Sequence, residues 1–591
     1  MRNRTRSAVA FAAVAIVAVP LTVTATTAAW NTTEWVHGQV GTSTIDCTDG
    51  TGFASVASGR FLSGSLLGLN LDPIAELEQM RLALDGAGDV TVSPGDAIDL
   101  GSAPPDEYVY ANPFDVTALS AINVDLTGFT VGLPGAQLGA VNQYANVATD
   151  GTAVGASGLV NDSGAVLVSD ATPPASLPAP ARVGLSGVLP GIAGIADVDL
   201  EIGAVAASSQ LDGCALLREE LWGETAPATA IVRDYGIAGL GLQLDAPVVG
   251  GLVSGVTDAV DTLGDAVDLL TGPGGLIASG VGAQVDLALP GVLTTSVSGD
   301  VSLTGLDLLG SVSGLLSAPL TDGVITIDLQ DGTIDVDLDA LLPSLNDAAP
   351  NTEVVLNDTV LNPIVDRAGL LLDTWTTQIV AALTAELRES SLVIDLEALV
   401  AAPGITIPPI LPGLPPVTLL GLDVLSADIA FTGTLGAALD GTAALSIDAD
   451  VVGLVGPVNT LLAALGLPTV TDLLGVVEGL TATLLSGLTT TVSDTVTGAL
   501  TTLGGTLAGL VTPVITALGG VIDALPSVVS LMVNVQPDQP GAPPGATALP
   551  ASGDSTAQYR VSALRLGLVD ALGTVAAVTL ATATAGPVTA P

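Results

Sequence analysis

Beyond residue 237 the apolar residues recur at two periods, and the switches between them lay out the elements. Leu252, Val256, Val260, Leu263, Val267 and Leu270 step by three and four, with Asp258, Asp261, Asp265 and Asp268 off the stripe. That spacing predicts a helix with one buried face. Gly272-Pro273-Gly274-Gly275 should end it. Alternation then predicts strands over 284–289, 294–303, 324–329 and 333–338. In the last of these Asp335, Asp337 and Asp339 share one face and Ile334, Val336 and Leu338 the other. A second helix is expected over 363–389, carrying Leu370, Trp375, Ile379 and Leu383, and a strand over 391–396.

The longest pattern runs from Leu473 through Leu484, Val492, Leu503, Val514 and Leu518 to Leu525 in steps of three or four. Only a helix has that period. Gly and Thr fill much of the other face and are poor helix formers, so breaks are expected at Gly504-Gly505, Pro513 and Gly519-Gly520. Such a helix would pack along a neighbouring sheet, with a coiled coil or a membrane-lying helix as the alternatives. Without Lys or Arg on its polar face it does not suit an anionic lipid surface. Asp331-Gly332-Thr333 and Asp440-Gly441-Thr442 each precede a strand and then a long helix, a loose internal repeat. Strands are expected again over 443–448, 528–535, 559–569 and 575–582.

Toward the N-terminus the pattern predicts short strands over 89–92, 108–111, 122–129, 165–168 and 198–202, separated by turn residues such as Asn161-Asp162-Ser163-Gly164. Ile74, Leu77, Met80 and Leu84 suggest a helix over 73–84. Most aromatic residues lie here, among them Trp30, Trp35, Phe53, Phe61, Tyr108, Tyr110 and Tyr144. The fold class read from these patterns is α+β. A β-rich N-terminal domain precedes sheet units with long amphipathic Ala/Leu/Gly/Thr-rich helices, in an elongated chain. The expected boundaries are a signal peptide over 1–29, the β-rich domain over 30–236 and a first strand-plus-long-helix unit over 237–402. A Pro-rich linker over 403–417, a second such unit over 418–535, a Pro/Gly-rich loop over 536–555 and C-terminal strands over 556–591 complete the chain.

Composition places this fold. Arg2, Arg4 and Arg6 open the chain, an apolar run extends from Ala8 to Val23, and Thr27-Ala28-Ala29 offers a small-residue exit. Those three parts read as a cleavable secretion signal. The chain carries 12 basic residues, all Arg, against 60 acidic ones, for a net charge of −48, and loss of the signal makes it three units more negative. So acidic a surface repels nucleic acid. Hydrophobic residues nevertheless make up 49% of the chain, which excludes a disordered acidic tail. No apolar span or basic stop comes after the last strands, so no transmembrane or covalent anchor is expected after signal cleavage. Leu549-Pro550-Ala551-Ser552-Gly553 is similar to a sortase motif with Ser in place of Thr, but Arg560, Arg565 and Asp570 interrupt the apolar residues beyond it, and it reads as a chance loop.

Cys47 and Cys214 are the only cysteines. In an exported chain they most simply form one disulfide, the alternative being two buried thiols. His37 is the only His, so a Ser-His-Asp triad would have to use a residue close to the start of the mature chain; there is no G-x-S-x-G, and without Lys there is no Lys-based chemistry. Catalytic and cofactor residues are accordingly expected to be none. Paired carboxylates could still support glycoside hydrolysis. Calcium is the chemically plausible ligand, with Asp335/Asp337/Asp339 and Asp197/Asp199/Glu201 as the places to look, against the simpler reading of solvated strand faces.

The segment Trp30-Asn31-Thr32-Thr33-Glu34-Trp35-Val36-His37-Gly38, continuing to Asp46-Cys47, resembles the opening of the actinobacterial choice-of-anchor G family, and Ala581-Thr582-Ala583-Thr584-Ala585-Gly586-Pro587 resembles that family's last common segment. The resemblance implies an exported cell-surface protein, and it supplies no catalytic residues. The expectation is therefore a secreted or cell-envelope-associated structural or adhesive protein, not an enzyme. Its partners would be cell-wall polymers or other surface proteins. A secreted carbohydrate-active enzyme using paired carboxylates is the rival.

Overall fold

In a computed structural model the described residues run from 52 to 590, leaving out shorter intervals, chiefly 71–77, 114–130, 133–141, 170–179, 408–416, 544–554 and 569–575. Expectations for Cys47, His37, the strand over 122–129, the signal peptide and the sortase-like loop fall outside them. The fold is α+β, as the periodicities indicate, with its N-terminal part rich in strands.

Three antiparallel sheets carry the architecture. In the first, the order is Thr352–Val354, Val529–Val535, Tyr559–Leu568, Ala576–Thr589, Ala54–Leu66, Met80–Leu84, Val90–Ser93. The first described strand thus pairs along its length with the last, Ala54 facing Thr589 and Leu66 facing Ala576. The second sheet has eleven strands, centred on the long pair Asp197–Asp212 and Ile231–Asp245. The two sheets cross where side chains vanish. A Cβ on Gly59 would strike the Ala156 carbonyl, and one on Gly155 would strike the Ser58 and Thr584 carbonyls. Glycine is required at this crossing because backbone approaches backbone. Ser209 Oγ, fully buried there, donates to the Tyr559 carbonyl at 2.8 Å.

The third sheet, Thr294–Thr304, Ser391–Ala402, Leu422–Thr434 and Ser446–Val451, turns Ile394, Leu396, Val400, Ile429 and Phe431 inward. Helices Pro247–Asp268, Leu276–Ala288, Asp358–Glu389 and Thr481–Val528 pack with it into one large apolar core. Leu252, Val256, Val260, Leu263 and Val267 are all buried, as the stripe requires.

Four local expectations are corrected. Residues 284–289 lie in and just after the helix Leu276–Ala288, because Ile277, Val281 and Val285 are the residues that bury, at a period of four. Met80–Leu84 is a strand with Met80, Leu82 and Leu84 inward; the helical reading overlooked that alternation. Residues 165–168 form only an isolated bridge, Val166 to Val160. The long helix is continuous from Thr481 to Val528 through both glycine pairs and Pro513, and it packs chiefly on the other helices rather than along a sheet. Burial of Leu503, Leu507, Val511, Val514, Leu518 and Val521 outweighs weak propensity on the exposed side. The break comes earlier, where Gly479 ends the helix Val470–Glu478, which Thr469 and Asp472 open as a capping box.

Candidate functional site

Of the acidic residues singled out by the sequence, Asp199, Glu201, Asp335 and Asp337 stand in neighbouring rows of the eleven-stranded sheet. Register aligns Gly184, Asp199, Gln243, Asp335 and Thr326 across five strands, and Arg182, Glu201, Gly241 and Asp337 beside them. Arg182 Nη2 lies 2.8 Å from Glu201 Oε1, and Gln243 Nε2 donates to Asp335 Oδ1 at 2.8 Å. Partial burial pushes the Asp199 and Glu201 carboxyls above the usual carboxylate range. The neighbouring Asp197 adds to the rise at Asp199. At Glu201, Arg182 opposes the rise and Asp335 adds to it.

The other expected ligands are committed to backbone or to a hydroxyl. Asp337 accepts from the Ala340 N–H as a helix cap. Asp339 Oδ2 accepts from the Gly239 and Leu240 N–H groups. Asp197 accepts from Ser186 Oγ. Strand Thr333–Asp337 therefore ends before Asp339, and the three Asp residues do not stay in one row. Among the described residues no group of three or more His, Cys, Asp or Glu is placed to hold a metal ion.

A second acidic surface was not visible in the sequence. On the outer face of the four-stranded sheet, Ser298, Glu397, Asp428 and Asp448 stand directly opposite one another, and Asp300 stands opposite Asp395 in the next row. All five carboxylates are exposed, and no basic residue occurs in these four strands. Facing Cβ atoms in such pairs are about 4.5–5.5 Å apart, and like charges there are destabilising. The signal lay in the alternating Asp428, Asp448 and Asp450. Only the register joins them to Glu397.

A buried network ties the strand end at Val535 to the segment 345–354. Asn351, with φ 57°, donates Nδ2 to the Gln536, Gln539 and Pro540 carbonyls and accepts from the Gln536 N–H. Asn534 Nδ2 donates to the Ala348 carbonyl, and Tyr235 Oη to the Leu345 carbonyl. Arg233 pairs with the nearly inaccessible Asp538 and lies over the Tyr559 ring. These groups satisfy one another, which is the signature of a structural clamp. Cys214 is fully buried near the start of the helix Gly213–Trp222, and no cysteine among the described residues is free.

No curated protein and no solved structure matches the chain. The family model described as Domain of unknown function (DUF8394) matches residues 57–586, a span that reaches from the first described strand into the last. The chain belongs to that DUF8394 family.

Proposed function

We propose that the protein is an exported, cell-envelope-associated structural or adhesive protein that meets its partner through open acidic sheet faces. The observation that carries this reading is the Glu397–Asp428–Asp448 row beside the Asp300–Asp395 pair. Facing carboxylates weaken the sheet they stand on and attract cations or cation-bridged polymers. Buried polar groups such as Asn351, Asn534 and Asp538 serve backbone and loop contacts, which suits a load-carrying body. The resemblance of 28–47 and 581–587 to choice-of-anchor G proteins supports the same reading. Fractionation of a producing culture tests it. The mature chain is expected in the medium or on the cell surface, and chelator or high salt should strip whatever is retained. Recovery in the cytosol overturns the proposal.

A second reading, a carbohydrate-active enzyme, draws on the raised carboxyls of Asp199 and Glu201. It predicts release of reducing sugar from a polysaccharide, lost in E201Q. The Arg182 ion pair at Glu201 weighs against it, since that pair favours the charged form over a proton-donating acid.

A further inference from the structure

Helices Pro247–Asp268 and Thr481–Val528 do not close completely against each other. Between them lies a cleft of about 310 Å³ lined by residues of both, including Ala259, Leu263, Ala499 and Leu503. Ala259, Leu263 and Leu503 are buried members of the core and give the cleft an apolar, packed side. Gly255 shapes one end, where a Cβ would meet Leu510 Cδ2 at 2.6 Å.

The lining is less polar than its composition suggests. Thr262, Thr502 and Thr506 donate their hydroxyls to the carbonyls of Asp258, Gly498 and Thr502 one turn back. Their hydrogen-bonding demand is met inside the helices. Asp258 is the one charged residue of the lining. It is exposed, and among the described residues its carboxylate has no hydrogen-bond or ion-pair partner. The opposite wall is neutral, because the long helix carries only Asp494 and Asp523 over its whole length.

An apolar slot with one free carboxylate at its mouth is complementary to an organic cation with an apolar body. The volume sits at the small end of ligand sites, which fits an amine and excludes a folded segment. The net charge of −48 raises the local concentration of any cation. We propose that this cleft binds a small aliphatic ammonium, its cation against Asp258 and its hydrocarbon between Ala259, Ala499 and Leu503.

Calorimetric titration of the full chain with hexylammonium, hexanol and hexyl sulfate tests this. Hexylammonium is expected to bind best, D258N to weaken it about fivefold, and A499L to abolish it by filling the slot. T502L, at an exposed position, serves as a second filling variant if A499L does not fold. Absence of hexylammonium binding overturns the proposal. So does equal binding of the alcohol or the sulfate, an unchanged affinity in D258N, or an unchanged affinity in a folded filling variant.

Discussion

Asn351 shows how much one side chain can hold. Its left-handed φ is tolerated by Asn, and its amide nitrogen joins the carbonyls of Gln536, Gln539 and Pro540. N351A should cost about 2–4 kcal/mol in denaturant unfolding. N351D keeps the shape but turns the donor into an acceptor, and is expected to cost at least as much. Titration at Asp199 and Glu201 should show in stability against pH. Both carboxyls bind protons more tightly when folded, so stability rises as pH falls from neutral through their raised values toward the ordinary carboxylate range. Asp322 has the opposite sign at lower pH. Burial works upward there, but the Ile325 and Val324 N–H groups and Arg367 outweigh it and hold the carboxyl low. Its contribution is present above the unfolded value and is lost as pH falls through the lowered folded one. The double variant D199N/E201Q should flatten the rise in Tm from neutral pH down to the ordinary carboxylate range, and an unchanged slope would assign the whole effect to relief of net charge. Cys47 and Cys214 are proposed to be bonded, so peptide mapping without reductant should recover them linked, and recovery as two free thiols defeats the pairing.

At the scale of elements, the glycines divide into two kinds with opposite predictions. Gly504 and Gly505 sit in the long helix with open space where a Cβ would go. Replacing either by Ala should stabilise by about 0.5–1 kcal/mol. Gly155 sits where two sheets touch through backbone, and G155A should cost several times that amount, on the order of 3 kcal/mol. Thermal unfolding of the three variants separates the two kinds, and a destabilised G505A would show that the helix needs its glycines. Much of this level was legible in the sequence. The stripe at Leu252–Val267, the alternation at Ile334–Val336 and the helix carrying Trp375 lie where their periods place them. Errors arose where two periods coexist, as at Met80–Leu84, or where burial overrides propensity, as at Gly504-Gly505 and Pro513. The strands Ile231–Asp245 and Leu422–Thr434 lie outside the elements that periodicity predicts, and with them the register that builds both acidic faces. Asp199 and Glu201 were legible as candidates, but Arg182, Gln243 and Glu397 enter only through pairing between distant strands.

For the whole molecule the decisive feature is the seam between Ala54–Leu66 and Ala576–Thr589. Deleting residues 576–590 would strip one partner from the first strand and leave Tyr559–Leu568 as an edge. The truncated chain is expected to lose cooperative unfolding and to fall to limited proteolysis, while a folded truncation would show that the seam is dispensable. Contacts this far apart in sequence also form slowly, because the whole chain must first be gathered. A polypeptide threaded out of a cell with its N-terminus leading, as proposed here, would deliver its first strand long before the strand that receives it. Until then the first sheet has an open flank, although the strands of the other two sheets have all gone ahead of it. Arrival of the last strand would then act as the latch of that sheet: the flank beside Ala54–Leu66 stays pliable during passage and sets only when Ala576–Thr589 has followed it through.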